Sequence, residues 1–135
     1  MTDIVERMNA ELPVFVDRLG GRMLAFDLNA HECRFQWMIG PEFCHSGDVV
    51  QGGFVTAMLD ANMSHACFGV GDVSGLATLE IKVSFLDVSR AGAFESLGRV
   101  VKATHRTAFL SGELYDASGR LTATATATAK LSRQG

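Results

Sequence analysis

The sequence has little of what marks secreted, membrane-spanning or nucleic-acid-binding proteins. It holds three cysteines, an odd number without a CxxC pair, which favours a reducing setting over a disulfide framework. The net charge is -3, and no cluster of Lys and Arg marks a nucleic-acid or membrane surface. The N-terminus lacks an apolar signal core, and no apolar run reaches the roughly 20 residues of a bilayer span. We therefore expect a soluble, cytoplasmic protein.

Metal-ligand spacing is also missing. The four histidines and three cysteines are scattered along the chain, so no metal and no cofactor is predicted. The chain does have apolar residues, 47% of its 135 positions, which is enough for one buried core. We predict a single domain over residues 1–135 that opens with a helical segment at 1–20, interrupted by Pro13.

Most of the chain shows the period-two pattern of β-strands. Residues 31–39 alternate apolar and polar side chains around two aromatic residues, which is typical of a half-buried strand. Further extended runs are predicted at 22–28, 79–85, 94–104, 107–115 and 121–129. The segment 41–50 is predicted to be a loop, because Gly40 and Pro41 break the preceding strand.

One segment, residues 53–70, departs from this pattern because it is apolar almost all round. A helix without a broad polar face is typically buried, and glycines at 69 and 71 provide its end. An antiparallel sheet wrapped around such a helix would hide it on every side. The sequence thus predicts an α+β fold with one long buried helix.

Asp60 is the one acidic or basic residue on this predicted helix, histidine aside. An isolated carboxylate in an apolar setting is costly unless it gains partners or becomes neutral. One interpretation is a structural acid, hydrogen-bonded to backbone or hydroxyl groups. The other is a functional carboxylate, held partly away from water, that acts as a base or a nucleophile.

The start of the helix favours the functional interpretation. Gln51, Gly52 and Gly53 lie where free N–H groups and the helix dipole attract negative charge. Because glycine lets a ligand oxygen approach the backbone, this site suits the oxyanion formed when a thioester carbonyl is attacked. Gly52 and Asp60 are about 12 Å apart on a helix, too far for one small carbonyl. Two antiparallel helices in a dimer would bring Gly52 of one chain to Asp60 of the other.

Two more polar residues follow Asp60 on the helix. Ser64 lies one turn later, so its hydroxyl bonds either the carboxylate or a helix carbonyl. His65 completes an Asp-x4-His pair of the kind that some hydratases and dehydratases carry. Residues five apart on a helix point about 140° away from each other, so this pair is not expected to face one substrate. We expect His65 to find a backbone or subunit partner instead.

The region around Gly52 and Asp60 resembles a known family. Residues 49–60, VVQGGFVTAMLD, and residues 76–86, LATLEIKVSFL, are similar to the signature of the phenylacetate-degradation-type (PaaI-like) hotdog thioesterases. The resemblance extends over roughly residues 20–131 and covers the N-terminal helix only loosely. It implies a hotdog fold, a homodimer assembled into a homotetramer, and hydrolysis of acyl-CoA thioesters without a metal.

Carried over by position, the resemblance implies a role for each matched residue. Asp60 activates water or attacks directly, Gly52 gives its N–H to the thioester oxygen, and Thr78 helps to orient the attacking water. Asp60 and Thr78 come from one chain, whereas Gly52 and His45 come from the other. The family usually has an amide where this chain has His45, and many members have histidine where it has Gln51. A neutral imidazole and an amide can still donate hydrogen bonds at these two positions.

The candidate substrate contacts complete the prediction. They are Gln51, Gly53, Ser64, His105 and Arg106. The last two lie where two strands join, and they either meet a CoA phosphate at a tunnel mouth or form a solvated turn. The predicted function is hydrolysis of a medium-chain or aryl acyl-CoA to free acid and CoA. Two alternatives stay open: a non-catalytic hotdog protein that binds acyl-CoA or aromatic ligands, and a hotdog enoyl hydratase or dehydratase.

Overall fold

The computed structural model describes residues 3–134, and nearly half of them lie in the strands of one antiparallel sheet. The elements in chain order are α1 (Ile4–Ala10), α2 (Val14–Arg18), β1 (Arg22–Asp27), β2 (Glu32–Ile39), β3 (Cys44–Ser46), β4 (Val49–Val50), α3 (Gly52–Ala66), β5 (Val73–Phe85), β6 (Gly92–Ala103), β7 (Thr107–Asp116) and β8 (Leu121–Arg133). Six strands form the sheet in the order β1-β2-β6-β7-β8-β5, with antiparallel neighbours throughout. The predicted α+β architecture is confirmed.

The inner face of the sheet follows from the alternation in the sequence. On β2 the four side chains of Cys33, Phe35, Trp37 and Ile39 are all buried, while the residues between them are exposed. On β8 the alternate alanines from Ala123 to Ala129 are buried, as predicted for one face of a regular strand. Small alanine side chains let α3 lie close to this part of the sheet.

Helix α3 is held against the sheet by a buried polar network around Asn62. The Asn62 amide donates to the Cys33 carbonyl at 3.0 Å, and its oxygen accepts a hydrogen bond from the Ser96 hydroxyl. Ser96 in turn accepts from the indole N–H of Trp37 at 2.8 Å. The approach is so close that a Cβ on Gly98 would lie 2.6 Å from the Asn62 amide nitrogen. The network therefore fixes the register of α3 against β2 and β6.

The two N-terminal helices predicted on either side of Pro13 are present. Asp3 caps α1 by accepting a hydrogen bond from the Val5 N–H at 3.2 Å. The Asn9 side chain fastens α1 to the sheet, because it exchanges hydrogen bonds of 2.8 and 2.9 Å with the backbone of Met23. Among residues 3–134, no helix combines the length and the apolar character needed to cross a bilayer.

Two sequence-based predictions need correction. Helix α3 is not hidden on every side of the single chain: a stripe of five residues facing away from the sheet is exposed or half-exposed. These residues are Gly53, Thr56, Ala57, Asp60 and Ser64. Their spacing of i, i+3, i+4, i+7 and i+11 puts them on one face of the helix, which we call the open stripe. The apolar content of α3 predicted that the helix is buried, but it could not indicate which face of the helix has no strand or helix packed against it.

The segment 41–50 is not an irregular loop. A 3-10 turn at Pro41–Phe43 leads into β3, which pairs with β4 in a two-stranded antiparallel hairpin. Gly47 takes a positive φ of 58° at the turn between them, which glycine tolerates without steric cost. Strands of three and two residues are too short to give a recognisable period-two pattern, which is why the sequence did not reveal them.

Candidate active site

Asp60 lies in the middle of α3, on the open stripe, and is half-buried. Its Oδ1 atom accepts a hydrogen bond of 2.7 Å from the hydroxyl of Thr78 on β5. A bulge in β5 puts Thr78 in this position: the register shifts between Thr78 and Glu80, which leaves Leu79 unpaired and exposed. A structural acid and a functional acid would both have a hydrogen-bond partner of this kind. The surroundings of Asp60 must therefore distinguish the two interpretations.

Those surroundings are a cavity of about 720 Å³, which we call the Asp60 cavity. Ser64, His65 and Phe68 from the helix side and Leu76 from β5 share its wall with Asp60. The outer wall comes from the N-terminal segment, through Arg7, Met8, Glu11, Pro13 and Phe15. Ser64 makes no hydrogen bond to Asp60 within residues 3–134, so the hydroxyl partner of the carboxylate is that of Thr78. An acid at the wall of a partly apolar cavity fits the functional interpretation.

His65 also reaches the Asp60 cavity, contrary to the expectation from its five-residue spacing. The imidazole is 8% exposed, and its Nδ1 lies 2.7 Å from the Ala61 carbonyl one turn earlier. This is the backbone partner that the sequence analysis expected. Burial lowers the pKa of His65 below its ordinary value of 6.5, and the hydrogen bond to Ala61 opposes this in part. Asp60 and His65 point in directions about 140° apart on the helix, but both can reach the cavity because it follows the helix surface for about two turns.

The start of α3 forms the second part of the candidate site. Gln51 is the N-cap, and its side-chain oxygen accepts a hydrogen bond from the Gly53 N–H at 2.6 Å. The Gly53 N–H is therefore occupied within the chain, and Gly53 stays a predicted substrate contact. The Gly52 N–H has no acceptor among residues 3–134, and it lies at the positive end of the helix dipole. Gly52 thus has a free backbone N–H, which an oxyanion donor needs.

His45, which the family resemblance grouped with Gly52, lies on strand β3. It is exposed, with Nδ1 2.8 Å from the hydroxyl of Ser46. His45 and Gly52 line one cavity of about 550 Å³, together with Val55 and Phe85. We call this the Gly52 cavity. Asp60 and Thr78 belong to one part of the molecule and Gly52 and His45 to another, about 12 Å away along α3, so one chain does not unite the four.

His105 and Arg106 lie in the turn between β6 and β7, at a cleft of about 280 Å³ that we call the basic cleft. Lys130 and Arg133 from β8 contribute to the same cleft. Arg133 is paired with Asp72 at 2.8 Å, whereas Arg106 and Lys130 make no ion pair within residues 3–134. The cleft adjoins the Asp60 cavity, because Gln134 lines both. No cluster of metal ligands occurs among the described residues.

Comparison with known proteins gives the family. Residues 47–123 match the family model described as the Thioesterase superfamily. The chain belongs to this superfamily. Its six-stranded antiparallel sheet, with one long helix packed against it, is the hotdog fold of these proteins. The matched span includes Gly52, Asp60 and Thr78, whereas His45 lies just outside it.

Several members of the superfamily are similar over most of the chain. The crystal structure of a phenylacetic acid degradation-related protein from Ralstonia eutropha JMP134 is 30% identical, with a TM-score of 0.86 over 95% of this chain and 99% of that one. The PaaI protein of Escherichia coli has the same fold, with a TM-score of 0.83 at 14% identity over 97% of this chain and 91% of that one.

Two curated archaeal relatives each carry the name "putative esterase". The one from Saccharolobus solfataricus is 31% identical over 84 residues, 62% of this chain and 60% of that protein, so the match spans less than two thirds of its length. The one from Sulfurisphaera tokodaii is 26% identical over 121 residues, 90% of this chain and 89% of that protein. Family membership supports hydrolysis of thioesters in general and does not specify the substrate.

Proposed function

We propose that the protein hydrolyses medium-chain or aryl acyl-CoA thioesters, with Asp60 as the base or nucleophile. The observation that carries this proposal is the placement of Asp60, hydrogen-bonded to Thr78 at the wall of the Asp60 cavity. A structural acid alone would not need a cavity beside it. The apolar side chains of Met8, Phe68 and Leu76 in that cavity suit an acyl chain or an aromatic ring.

We propose a homodimer in which the site is shared. The open stripe on α3 carries small side chains next to Asp60, so two helices can approach closely there. If they run antiparallel, the free N–H of Gly52 of the partner subunit lies opposite Asp60, together with His45 of the partner subunit. Two such dimers can pair into a tetramer through the outer face of the sheet, where Val101 and Phe109 are exposed.

The chemistry then follows from these groups. Asp60 either takes a proton from the attacking water or attacks the carbonyl carbon itself, giving an anhydride that water opens. In both cases the carbonyl oxygen becomes an oxyanion that accepts a hydrogen bond from the Gly52 N–H. The C–S bond breaks, the CoA thiolate takes up a proton, and the free acid leaves. Thr78 orients the carboxylate, so its hydroxyl contributes through Asp60.

The CoA tail is proposed to lie at the basic cleft of the chain that provides Asp60. Arg106 and Lys130 are the cations there without an ion-pair partner in the described part of the chain, so they are available for phosphate oxygens. His105 adds a further hydrogen-bonding group. Gln51 and Ser64 remain proposed contacts of the thioester end. We also propose that residues 1–135 work as one domain and act in the cytoplasm, where the three unpaired thiols would stay reduced.

A panel of acyl-CoAs separates this function from its alternatives. Wild-type protein is incubated with hexanoyl-, decanoyl-, benzoyl- and phenylacetyl-CoA, and free thiol is followed against a blank without substrate. A thioesterase releases thiol, whereas a binding protein shows a calorimetric signal and no release. Because Asp60 and His65 line one cavity, the hydratase alternative is tested as well. A hydratase would lower the enoyl absorbance of hexenoyl-CoA without releasing thiol.

The substitution Asp60→Asn is the decisive variant. It keeps the size of the side chain and one oxygen that can accept the Thr78 hydrogen bond but removes the negative charge, so turnover should fall by at least about 100-fold. The matched control is Asp17→Asn, because Asp17 is exposed and makes no side-chain hydrogen bond within residues 3–134. Full activity of the Asp60 variant, with a normal melting temperature, would rule out the proposed role.

A further inference from the structure

His65 has a defined tautomer, because a backbone carbonyl can only accept a hydrogen bond. The 2.7 Å contact with the Ala61 carbonyl requires the proton to be on Nδ1. In the neutral imidazole the other nitrogen, Nε2, then carries a lone pair and accepts hydrogen bonds. Burial lowers the pKa of His65, so the neutral form prevails near neutral pH.

The ring is also held in place. Phe35 contacts it edge-on with a centroid distance of 5.1 Å, and Phe68 does so at 5.9 Å. Together with the hydrogen bond to Ala61, these contacts fix the direction of Nε2. A rigid acceptor costs little conformational entropy when a ligand binds to it.

Nε2 itself has no partner. It makes no hydrogen bond among residues 3–134, although the residue as a whole is more than nine-tenths buried. Nε2 is also not sealed off by protein atoms. Among the described residues, Nδ1 of His31 is the fully buried side-chain nitrogen that lacks a hydrogen-bond partner, so Nε2 of His65, which lacks one too, must be accessible. His65 lines the Asp60 cavity, so the free lone pair is open to that cavity. Water can reach Nε2 through the cavity, so a ligand that fills the cavity either supplies a donor of its own or leaves this acceptor without a hydrogen bond, which is costly.

The mechanism described above does not use this acceptor. Asp60 and His65 are five residues apart on one helix, an axial distance of about 7.5 Å. A group that meets Nε2 is therefore several bonds away from a carbonyl held at Asp60. It belongs to the acyl part of a substrate that fills the cavity, and a neutral imidazole in an apolar setting favours an uncharged donor.

We propose that Nε2 of His65 accepts a hydrogen bond from a hydroxyl group on the acyl chain of the substrate, and that His65 thereby selects hydroxylated acyl groups. This specificity role rests on the proposed thioesterase function at Asp60. Phe68 and Leu76 contact the apolar part of the same acyl chain. His65 is a binding residue in this proposal and takes no part in breaking the C–S bond.

The test uses two substrates of nearly equal shape. In 6-hydroxyhexanoyl-CoA the terminal hydroxyl lies six bonds from the carbonyl carbon, roughly 7 Å in an extended chain. In heptanoyl-CoA a methyl group takes its place. The measured quantity is the ratio of kcat/KM for the hydroxylated substrate to kcat/KM for heptanoyl-CoA, in wild type, in His65→Phe and in His65→Gln.

Phenylalanine keeps a flat ring without an acceptor, so the ratio should fall roughly fivefold or more relative to wild type. Glutamine places an amide oxygen near the position of Nε2, so its ratio should stay within about twofold of wild type. A loss of equal size on both substrates would mean that His65 only packs the cavity, which overturns the proposal. An unchanged ratio in His65→Phe overturns it as well.

A measurement on the wild-type protein covers the case in which a variant fails to fold. The ¹⁵N resonance of His65 Nε2 should shift when a thioether analogue of 6-hydroxyhexanoyl-CoA binds, and not with the heptanoyl analogue. Equal shifts with both analogues contradict the proposal. If wild type releases thiol from no acyl-CoA, the proposed function itself fails. If wild type hydrolyses both substrates but the ratio of their kcat/KM values is the same in the His65 variants, only the specificity role fails.

Discussion

The hydroxyl of Thr78 donates a hydrogen bond of 2.7 Å to Oδ1 of Asp60, joining strand β5 to helix α3. The bond engages Oδ1, whereas Oδ2 makes no hydrogen bond among residues 3–134, and the residue lines the Asp60 cavity. It also fixes the rotation of the carboxylate, because a hydrogen bond to a charged acceptor is stronger than one between neutral groups. Thr78 is thus expected to act on the reaction through the orientation of Asp60.

Thr78→Val tests this role with a side chain of the same shape and no hydroxyl. Because a hydrogen bond to a carboxylate is lost, kcat should fall roughly 10- to 100-fold, with a smaller change in KM. Thr78→Ser retains the hydroxyl and should stay within a few-fold of wild type. Steady-state kinetics on one acyl-CoA provide the comparison. Equal activity of the Val and Ser variants would show that the hydrogen bond is not needed.

Gly52→Pro tests the oxyanion donor, because proline has no backbone N–H. Proline is tolerated as the first residue of a helix, and Gln51 already has the extended conformation (φ -65°, ψ 135°) that a residue before proline requires. Loss of the donor should lower kcat by about 100-fold or more.

The matched control is Gly52→Ala, which adds a Cβ but keeps the N–H. That Cβ would lie 3.2 Å from the ring of Phe85, a side chain 56% exposed and therefore able to move. The alanine variant should retain most of its activity. If Ala and Pro reduce kcat equally, crowding at Gly52 rather than the missing N–H is responsible.

Mixing two inactive variants tests whether the site is shared between chains. In a hybrid dimer of Asp60→Asn and Gly52→Pro chains, one of the two sites combines an intact Asp60 with an intact Gly52. Random reassociation makes about half of the dimers hybrids, so activity should return to about a quarter of wild type. Chains are mixed in mild denaturant, refolded and assayed. No recovery despite hybrid formation, checked by native mass spectrometry, would mean that each chain forms its own site.

Gly98→Ala tests the close contact between β6 and α3. The added Cβ would meet not only the amide of Asn62 but also its backbone carbonyl atoms at 2.8 Å, so the helix itself must move. We expect a loss of about 1–3 kcal/mol in the free energy of unfolding, measured with urea. Gly75→Ala is the control, since a Cβ there has no neighbour within 4 Å and its φ is not in the positive range. A neutral Gly98→Ala would contradict the tight packing.

Much of the fold could be predicted because strand alternation is a local signal. Residues 33–39 and the Thr-Ala run of β8 show in the sequence which side chains face the core. The apolar character of α3 predicted a helix packed on the sheet. It could not predict the open stripe, because Gly53, Ala57 and Ser64 are small and fit both a buried face and a half-exposed one.

The site was predictable in part for a similar reason. Asp60 and Gly52 lie on one helix, so their separation follows from helical geometry alone. Ser64 on the same helix was one predicted hydroxyl partner of Asp60, but the structure has Thr78, which the family resemblance implied only as a residue that orients the attacking water. The backbone partner of His65 was predicted, but its place in the cavity wall was not, because the course of the cavity cannot be derived from residue spacing.

The unpaired Leu79 changes the phase of side-chain alternation along strand β5. Side chains alternate sides along a strand, but two successive residues, 79 and 80, are exposed here. Leu76 and Thr78 face inward before this point and Ile81 and Val83 do so after it, so deleting residue 79 would restore plain alternation with the same side chains inward. Almost any substitution at position 79 leaves the alternation intact, since its side chain lies in solvent. During divergence of this chain, changes of identity at position 79 are therefore expected to be common, and loss of this one residue to be tolerated better than the loss of a paired residue elsewhere in β5.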